Sequence, residues 1–105
     1  MSAYFIVRAD VRDPAAYQAY ACRSPGVLAM FGGRHIARGG RTLTFEGPPE
    51  TRRIVIAEFP DFASAERCYR SAAYQAIIPH RRDCADFDFI LVDGCAPDPT
   101  ASGPL

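Results

Sequence analysis

Two arginines and a histidine stand between two glycine pairs in residues 32–40, and these residue types are suited to binding an anion. Glycine permits sharp turns and close backbone approach, so each pair predicts a change of chain direction around a short strand. We expect Arg34 and Arg38 on one face of that strand. A guanidinium at Arg38, beside the second glycine pair, can hold a carboxylate or enolate in a bidentate grip. The alternative is a rim position for Arg38, paired with Glu46 or Glu58.

The two histidines, His35 and His80, have side chains whose unperturbed pKa lies near neutrality, which makes them weak candidates for a general base. For His35 the alternative is a packed, hydrogen-bonded histidine in the core. His80 follows a proline and precedes two arginines at a predicted helix end, where a solvated surface position is the alternative. No nucleophile motif accompanies either histidine, so nucleophilic catalysis lacks support.

Three charged side chains, Arg8, Asp10 and Glu58, are expected on the face of the sheet that the helices leave uncovered. A buried charge is costly unless it is paired, so Arg8 and Glu58 predict either a structural salt bridge or the polar end of an apolar ligand pocket. Tyr17 is a further candidate for ligand binding. Tyr17 and Tyr20 lie at helical spacing, and the alternative for both is a core position with a polar tip.

Composition narrows the classes of protein that fit this chain. Its 105 residues predict one domain, and twelve arginines balance twelve acidic residues, so the chain lacks the excess positive charge that nucleic acid binding requires. Lysine is absent, which excludes Schiff-base and P-loop lysine chemistry. The first residues alternate like a strand rather than a signal peptide, and no membrane span is expected, so we predict a cytoplasmic location.

The four cysteines have no CxxC or close Cys/His spacing, and in a cytoplasmic protein they are expected to be reduced thiols. We therefore expect neither a disulfide nor a metal site, and no cofactor.

The order of predicted elements is typical of an α+β, ferredoxin-like β-α-β-β-α-β protomer with helices on one face of an antiparallel sheet. Period-two alternation predicts strands, and Asp-Pro or Ser caps predict helix starts. The predicted strands are residues 3–11, 34–38, continued or folded back by 42–46, then 53–59 and 86–92. The predicted helices begin after Asp13, Asp61 and Ser71, and the last runs to Arg82 with a perturbation at Pro79. Residues 24–26 are expected to interrupt the first helix, and a further helical turn is expected to carry Val27, Leu28 and Met30. Residues 1–94 form the predicted domain, and 95–105 a flexible Pro/Gly/Ser-containing tail.

A strand order of 4-1-3-2 would make the first and third strands central neighbours, and we expect them to run parallel, with Arg8 near Glu58.

The sheet face away from the helices has no element to cover it. It carries the apolar side chains Ile6, Ile54, Ile56 and Ile90. Such a face usually closes against a second subunit, so the chain is predicted to form a homodimer.

As an ordered set, several motifs resemble the domain-of-unknown-function 1330 family of dimeric α+β barrel proteins. The matching segments are Tyr4-Phe5-Ile6-Val7, Asp13-Pro14-x-x-Tyr17-x-x-Tyr20, Phe31-Gly32-Gly33-Arg34, Arg38-Gly39-Gly40, Arg53-Ile54-Val55-Ile56-Ala57-Glu58-Phe59-Pro60 and Ser71-x-x-Tyr74-Gln75-x-Ile77-Ile78-Pro79-x-Arg81. The resemblance implies a ferredoxin-like protomer whose sheet packs against its twin. That family has no agreed activity, and related barrels include cofactor-free monooxygenases acting on aromatic polyketides, lactone isomerases and haem-binding proteins. His35 departs from the aromatic residue usual at its position.

Three hypotheses of function follow from these residues. The first is a small homodimer that binds an apolar, partly anionic small molecule in a cavity on the barrel side of the sheet, with Arg8, Tyr17, Arg38 and Glu58 as binding candidates. The second is a cofactor-independent enzyme, a monooxygenase or an isomerase of a carbonyl compound, with Glu58 or a histidine as base and Arg38 stabilising negative charge. The third is that the protein has no small-molecule role.

Overall fold

A computed structural model describes residues 1–96. These residues contain four strands and five helices, with helices between the first and second strands and between the third and fourth, as the sequence predicts. The strands are β1 (Ala3–Val11), β2 (Arg34–Arg38), β3 (Arg53–Phe59) and β4 (Ala85–Asp93). The helices are α1 (Pro14–Ala21), α2 (Ser24–Ala29), α3 (Phe62–Arg70), α4 (Ala72–Ile77) and α5 (Pro79–Arg82). The predicted tail, residues 95–105, lies outside the described residues from position 97 onward.

Local capping explains where the three main helices begin. The Asp13 carboxylate accepts a hydrogen bond from the Ala16 amide at 3.1 Å, and Pro14 occupies the first position of α1. Asp61 and Ser71 cap α3 and α4 in the same way. The predicted perturbation of the helix from 72 to 82 by Pro79 is confirmed: the helix is broken at Ile78, because Pro79 cannot supply an amide to the preceding turn and opens α5 instead.

The four strands form one antiparallel sheet in the order β2-β3-β1-β4. The predicted order is therefore confirmed, but the predicted parallel direction of β1 and β3 is wrong. The physical reason is the connection: helices cross over between β1 and β2, so those two strands point the same way, and β3 folds back from β2 between them. The predicted strand at 42–46 is also absent, since the backbone turns at Gly39, which has φ +70°.

The hydrophobic core lies between the helices and one face of the sheet. On β1 the side chains that face the helices are fully buried, namely Ala3, Phe5, Val7 and Ala9. They pack with Phe59 on β3 and Tyr74 on α4, both close to zero exposure. The alternate residues of β1 lie on the opposite side, which we call the outer face.

None of the helices in residues 1–96 has the length and apolar character needed to cross a bilayer. Cys68 and Cys84 are buried, whereas Cys22 and Cys95 are exposed, and each is a free thiol.

Candidate functional site

A cavity of about 20 Å³ lies between the helix-facing side of the sheet and the helices. That volume accommodates about one water molecule. Most of the lining is apolar or aromatic, including Phe5, Val7, Leu28, Phe87 and Phe89. The polar side chains at its walls are Tyr17, Tyr20, Ser24, His35, Arg38, Arg53 and Tyr74. The cavity therefore joins aromatic walls with basic groups.

A β-bulge in β2 decides which basic groups reach this cavity. Arg34 pairs with Glu58 in the register and His35 with Ala57, but the register then shifts, so that Arg38 lies opposite the helix-facing Val55. The expectation that Arg34 and Arg38 share a face is therefore wrong, because the extra residue moves Arg38 to the other side. His35 and Arg38 both face the helices and line the cavity.

Arg38 extends from β2 to the end of α1, where its guanidinium donates a hydrogen bond to the Ala21 carbonyl. Carbonyls at a helix C-terminus lack helical partners and carry partial negative charge, so this contact is favourable. The predicted alternative, an ion pair of Arg38 with Glu46 or Glu58, does not occur among the described residues. Arg38 also lines the cavity.

Arg53 opens β3 and lies in register with Ala9, so it shares the helix-facing side. Its guanidinium carbon is 5.8 Å from the centre of the Tyr17 ring, and its Nε is buried without a hydrogen-bond partner in the described residues. Because Gly39 has no Cβ, the Arg53 side chain can lie against the backbone there; a Cβ at residue 39 would be 2.1 Å from a guanidinium nitrogen of Arg53. Packing, rather than hydrogen bonding at Nε, holds Arg53 beside the cavity.

A third arginine, Arg81, lies behind the aromatic wall. It is only 8% exposed, and its guanidinium carbon lies 4.0 Å from the centre of the Phe87 ring and 5.2 Å from that of Tyr20. Cation–π contacts of this kind stabilise a desolvated guanidinium. The Tyr20 and Tyr74 hydroxyls form a buried hydrogen bond of 2.5 Å next to it. Burial raises the pKa of both tyrosines, so both are neutral phenols at physiological pH.

The three arginines share one electrostatic environment. Burial raises the pKa of Tyr17, and the charges of Arg53, Arg81 and Arg38 oppose that rise, which places all three cations within influence of a single hydroxyl. Burial, followed by Arg38 and Arg53, lowers the pKa of His35, so its imidazole is neutral near pH 7. None of the three arginines forms an ion pair with a carboxylate in residues 1–96. The site is thus a cationic, carboxylate-free cavity with one neutral imidazole.

Two other predicted site residues, Arg8 and Glu58, lie on the outer face and do not meet each other. The antiparallel register places Arg8 opposite Ile54 and Tyr4 opposite Glu58, so the predicted Arg8–Glu58 pair is wrong. Glu58 instead accepts a hydrogen bond from Arg34 at 2.9 Å, and Arg8 lies 3.7 Å from Glu50. Their part in ligand binding stays a prediction.

The structure separates the two histidines and adds residues that the sequence reasoning missed. His80 is exposed on α5, away from the cavity lining, whereas His35 lines it. Arg53 was missed as a site residue, although the alternation of Val55, Ala57 and Phe59 already assigns position 53 to the helix-facing side. The place of Arg81 depends on how α5 packs, for which the sequence carries no local signal.

The fold defines the class of the protein: a ferredoxin-like α+β protomer with a four-stranded antiparallel sheet. Residues 2–95 match the family described as "Domain of unknown function (DUF1330)", and the chain belongs to that family. The sequence-based resemblance is therefore confirmed. No curated protein matches the chain.

Solved structures with the same fold include one protein of unknown function and one oxygenase. A Rhodopseudomonas palustris protein of unknown function is 25% identical, with a TM-score of 0.70 over 91% of this chain and 84% of that one. SnoaB, a cofactor-independent oxygenase from Streptomyces nogalater, is 20% identical, with a TM-score of 0.66 over 93% of this chain and 97% of its own. A putative antibiotic biosynthesis monooxygenase from Nitrosomonas europaea is 11% identical, with a TM-score of 0.51 over 90% and 92% of the two chains. At the identities of the last two, the likeness shows the fold alone.

Proposed function

We propose that this protein binds a small organic anion, a carboxylate or an enolate, with its charged end in the cavity between the sheet and the helices. The observation that carries the proposal is that Arg38 and Arg53 line the cavity, with the buried Arg81 behind its aromatic wall, and that none of the three forms an ion pair with a carboxylate in the described residues. Arg81 is buried, whereas Arg53 is half-buried and Arg38 is exposed, and guanidinium groups without a counter-ion attract an anion. The proposal moves the predicted ligand from the barrel side to the helix-facing side of the sheet.

The hydrogen-bonding inventory of the cavity also supports an anion. A guanidinium can only donate hydrogen bonds. In the hydrogen-bonded pair of Tyr20 and Tyr74, one hydroxyl donates to the other, and the second hydroxyl still has its hydrogen to donate to a ligand. Neutral His35 is the side chain in the lining with an unprotonated ring nitrogen that can accept. Since donors predominate, the ligand must supply acceptors, and the space for about one water molecule admits only its charged end.

Benzoate and its uncharged counterpart benzyl alcohol provide the test. We expect benzoate to bind more tightly than benzyl alcohol, as measured by ligand-observed NMR titration. Arg53→Met should weaken benzoate binding by about 10- to 100-fold, the scale of a charge-assisted hydrogen bond. Arg34→Met is the matched control, because Arg34 lies on the outer face in an ion pair with Glu58. Equal binding of the two probes, or equal losses in the two variants, contradicts the proposal.

A second candidate function is a cofactor-independent enzyme, and neutral His35 in the same cavity is the observation that favours it. A neutral imidazole can remove a proton from a carbon next to a carbonyl, and Arg38 or Arg53 can stabilise the resulting enolate. The oxygenase SnoaB shares the fold. Whether the enolate then reacts with oxygen or is reprotonated, as in an isomerase, is decided by the substrate.

Proton abstraction can be measured without knowing the natural substrate. The probe is 2-tetralone in D₂O, whose protons next to the carbonyl exchange for deuterium when an enolate forms. We expect the protein to accelerate exchange and His35→Gln to abolish the acceleration, whereas His80→Gln, on exposed α5, leaves it unchanged. Exchange at the protein-free rate contradicts the enzyme hypothesis and leaves the binding proposal standing.

We also propose that the outer face forms a homodimer interface. A row of apolar side chains crosses all four strands at one level, Ala37, Ile56, Ile6 and Ile90, as the register shows. Charged pairs flank that row, including Arg34–Glu58 at one end and Arg52–Asp88 at the other. An apolar centre with a polar rim is typical of a protein–protein interface, and a two-fold axis would place like rows against each other.

A further inference from the structure

An open groove of about 310 Å³ shares Tyr17 and Arg53 with the cavity as lining residues. The end of β1, the first turns of α1 and the start of β3 form it. Its lining includes Asp10, Gln18 and Thr51, together with Tyr17 and Arg53 themselves. The groove is therefore adjacent to the cavity, and the same two side chains border both spaces.

Tyr17 and Arg53, which line both spaces, form a cation–π contact, with the Arg53 guanidinium carbon 5.8 Å from the centre of the Tyr17 ring. The buried Nε of Arg53 has no hydrogen-bond partner in the described residues. A long side chain that is held mainly by packing changes rotamer at modest cost. Movement of Arg53 away from the ring would join the two spaces.

The relative sizes of the two spaces determine how a ligand can be placed. The cavity has room for about 20 Å³ and the groove for about 310 Å³, so a molecule larger than a few atoms must keep most of its atoms in the groove. The charges determine which end enters. Asp10 and Arg52 both line the groove, and the charge of Arg52 is compensated by Glu50 and Asp88, whereas Arg53 and Arg38, which line the cavity, have no carboxylate partner in the described residues.

We infer that the groove is an extension subsite of the anion site and that it takes the uncharged polar part of an aromatic acid. This inference rests on the proposed function and names its substrate class: a planar acid with an amide, hydroxyl or similar group at the end opposite its carboxylate. The Gln18 amide and the Thr51 hydroxyl are the neutral side chains that would hydrogen-bond to that group.

Three para-substituted probes test the subsite: benzoate, 4-acetamidobenzoate, and 4-isopropylbenzoate as an apolar substituent of similar bulk. We expect 4-acetamidobenzoate to bind about three- to ten-fold more tightly than 4-isopropylbenzoate, the contribution of a neutral hydrogen bond. Thr51→Val and Gln18→Leu should each reduce that preference while leaving benzoate affinity unchanged. Gln75→Leu is the control, because Gln75 lies on α4 outside the groove lining and bonds to the Tyr69 carbonyl.

The outcomes separate this inference from the proposed function. If benzoate binds in an Arg53-dependent way but the acetamido preference is absent, or survives both groove substitutions, the subsite is overturned and the anion site stands. If benzoate does not bind at all, the anion site is overturned and the subsite with it. If the preference disappears in the groove variants and persists in Gln75→Leu, the subsite is supported.

Discussion

At the scale of single residues, the site depends on how the chain keeps arginines near its core without carboxylate partners. Arg81 is stacked on Phe87 and Tyr20, Arg38 is tied to the end of α1, and Arg53 lies against the Gly39 backbone and the Tyr17 ring. Each contact stabilises a guanidinium through polarisable or dipolar groups and leaves its charge uncancelled. The positive field in the cavity is a consequence of these three contacts.

Gly39→Ala should destabilise the protein by about 1–2 kcal/mol, because the position has φ +70°, where an L side chain is strained. Its Cβ would also displace the Arg53 guanidinium. Gly40→Ala is the matched control, since a Cβ there meets nothing within 4 Å. Urea denaturation measures both, and equal stability of the two variants would argue against the described turn.

His35 should make stability fall as the pH is lowered. Its pKa is below 6.5 in the folded protein, owing to burial and then Arg38 and Arg53, so the unfolded chain binds the proton first as the pH drops. The urea midpoint should therefore decrease between about pH 7.5 and about pH 5.5 more steeply in the natural sequence than in His35→Gln. Identical slopes would show that His35 is not held neutral by the fold.

At the scale of elements, the bulge in β2 is what brings the site together. In a regular strand, residues 35 and 38 would point to opposite faces, but the shift between His35 and Ala37 places both side chains toward the helices. The same shift leaves Arg34 with Glu58 on the outer face. One extra residue in one strand thus assigns one arginine to the cavity and another to the surface.

The connection from α2 into β2 also has a steric requirement that a pair of substitutions can test. A Cβ at Gly33 would lie 2.3 Å from the ring of Phe59, which is fully buried, so Gly33→Ala should cost about 1–3 kcal/mol through overpacking. Gly26 lies inside α2 with open space around it, so Gly26→Ala should stabilise by about 0.5–1 kcal/mol. In thermal denaturation we expect the melting temperature to fall in Gly33→Ala and to rise in Gly26→Ala. A lower melting temperature in both variants would contradict this steric explanation.

At the scale of the whole molecule, the outer face explains why a chain of this size benefits from a second copy. A domain of 105 residues buries only about two-thirds of its unfolded surface. Ile90 on the outer face is 58% exposed in a single chain. Covering such side chains contributes about 1.5–3 kcal/mol each when burial is complete. A homodimer is the arrangement that buries the row on both copies at once.

Ile90→Glu should convert the proposed dimer to a folded monomer, because it places an unpaired charge in the apolar row, at its β4 end. Sedimentation velocity should show about twice the chain mass for the natural sequence and the chain mass for the variant. Met30→Glu is the control, since Met30 is 67% exposed but lies at the end of α2, away from the outer face. A natural sequence that sediments as a monomer would refute the dimer outright.

The sequence by itself determined most of the elements, although not the absence of a strand at 42–46, because strand alternation and helix caps are local. Phe5, Val7 and Ala9 face the core as their period predicts, and Asp13, Asp61 and Ser71 begin helices where their side chains can accept amide hydrogen bonds. The apolar outer face was visible in the same way.

Only the tertiary structure decided the site, because its parts are joined by long-range register and packing. The direction of β3 separates Arg8 from Glu58, and the bulge moves Arg38 to the helix-facing side. Arg81 reaches Tyr20 only through the packing of α5 against α1. Alternation gives the face of a side chain within a regular strand, but strand pairing fixes its neighbours, and one inserted residue reverses the face of everything that follows.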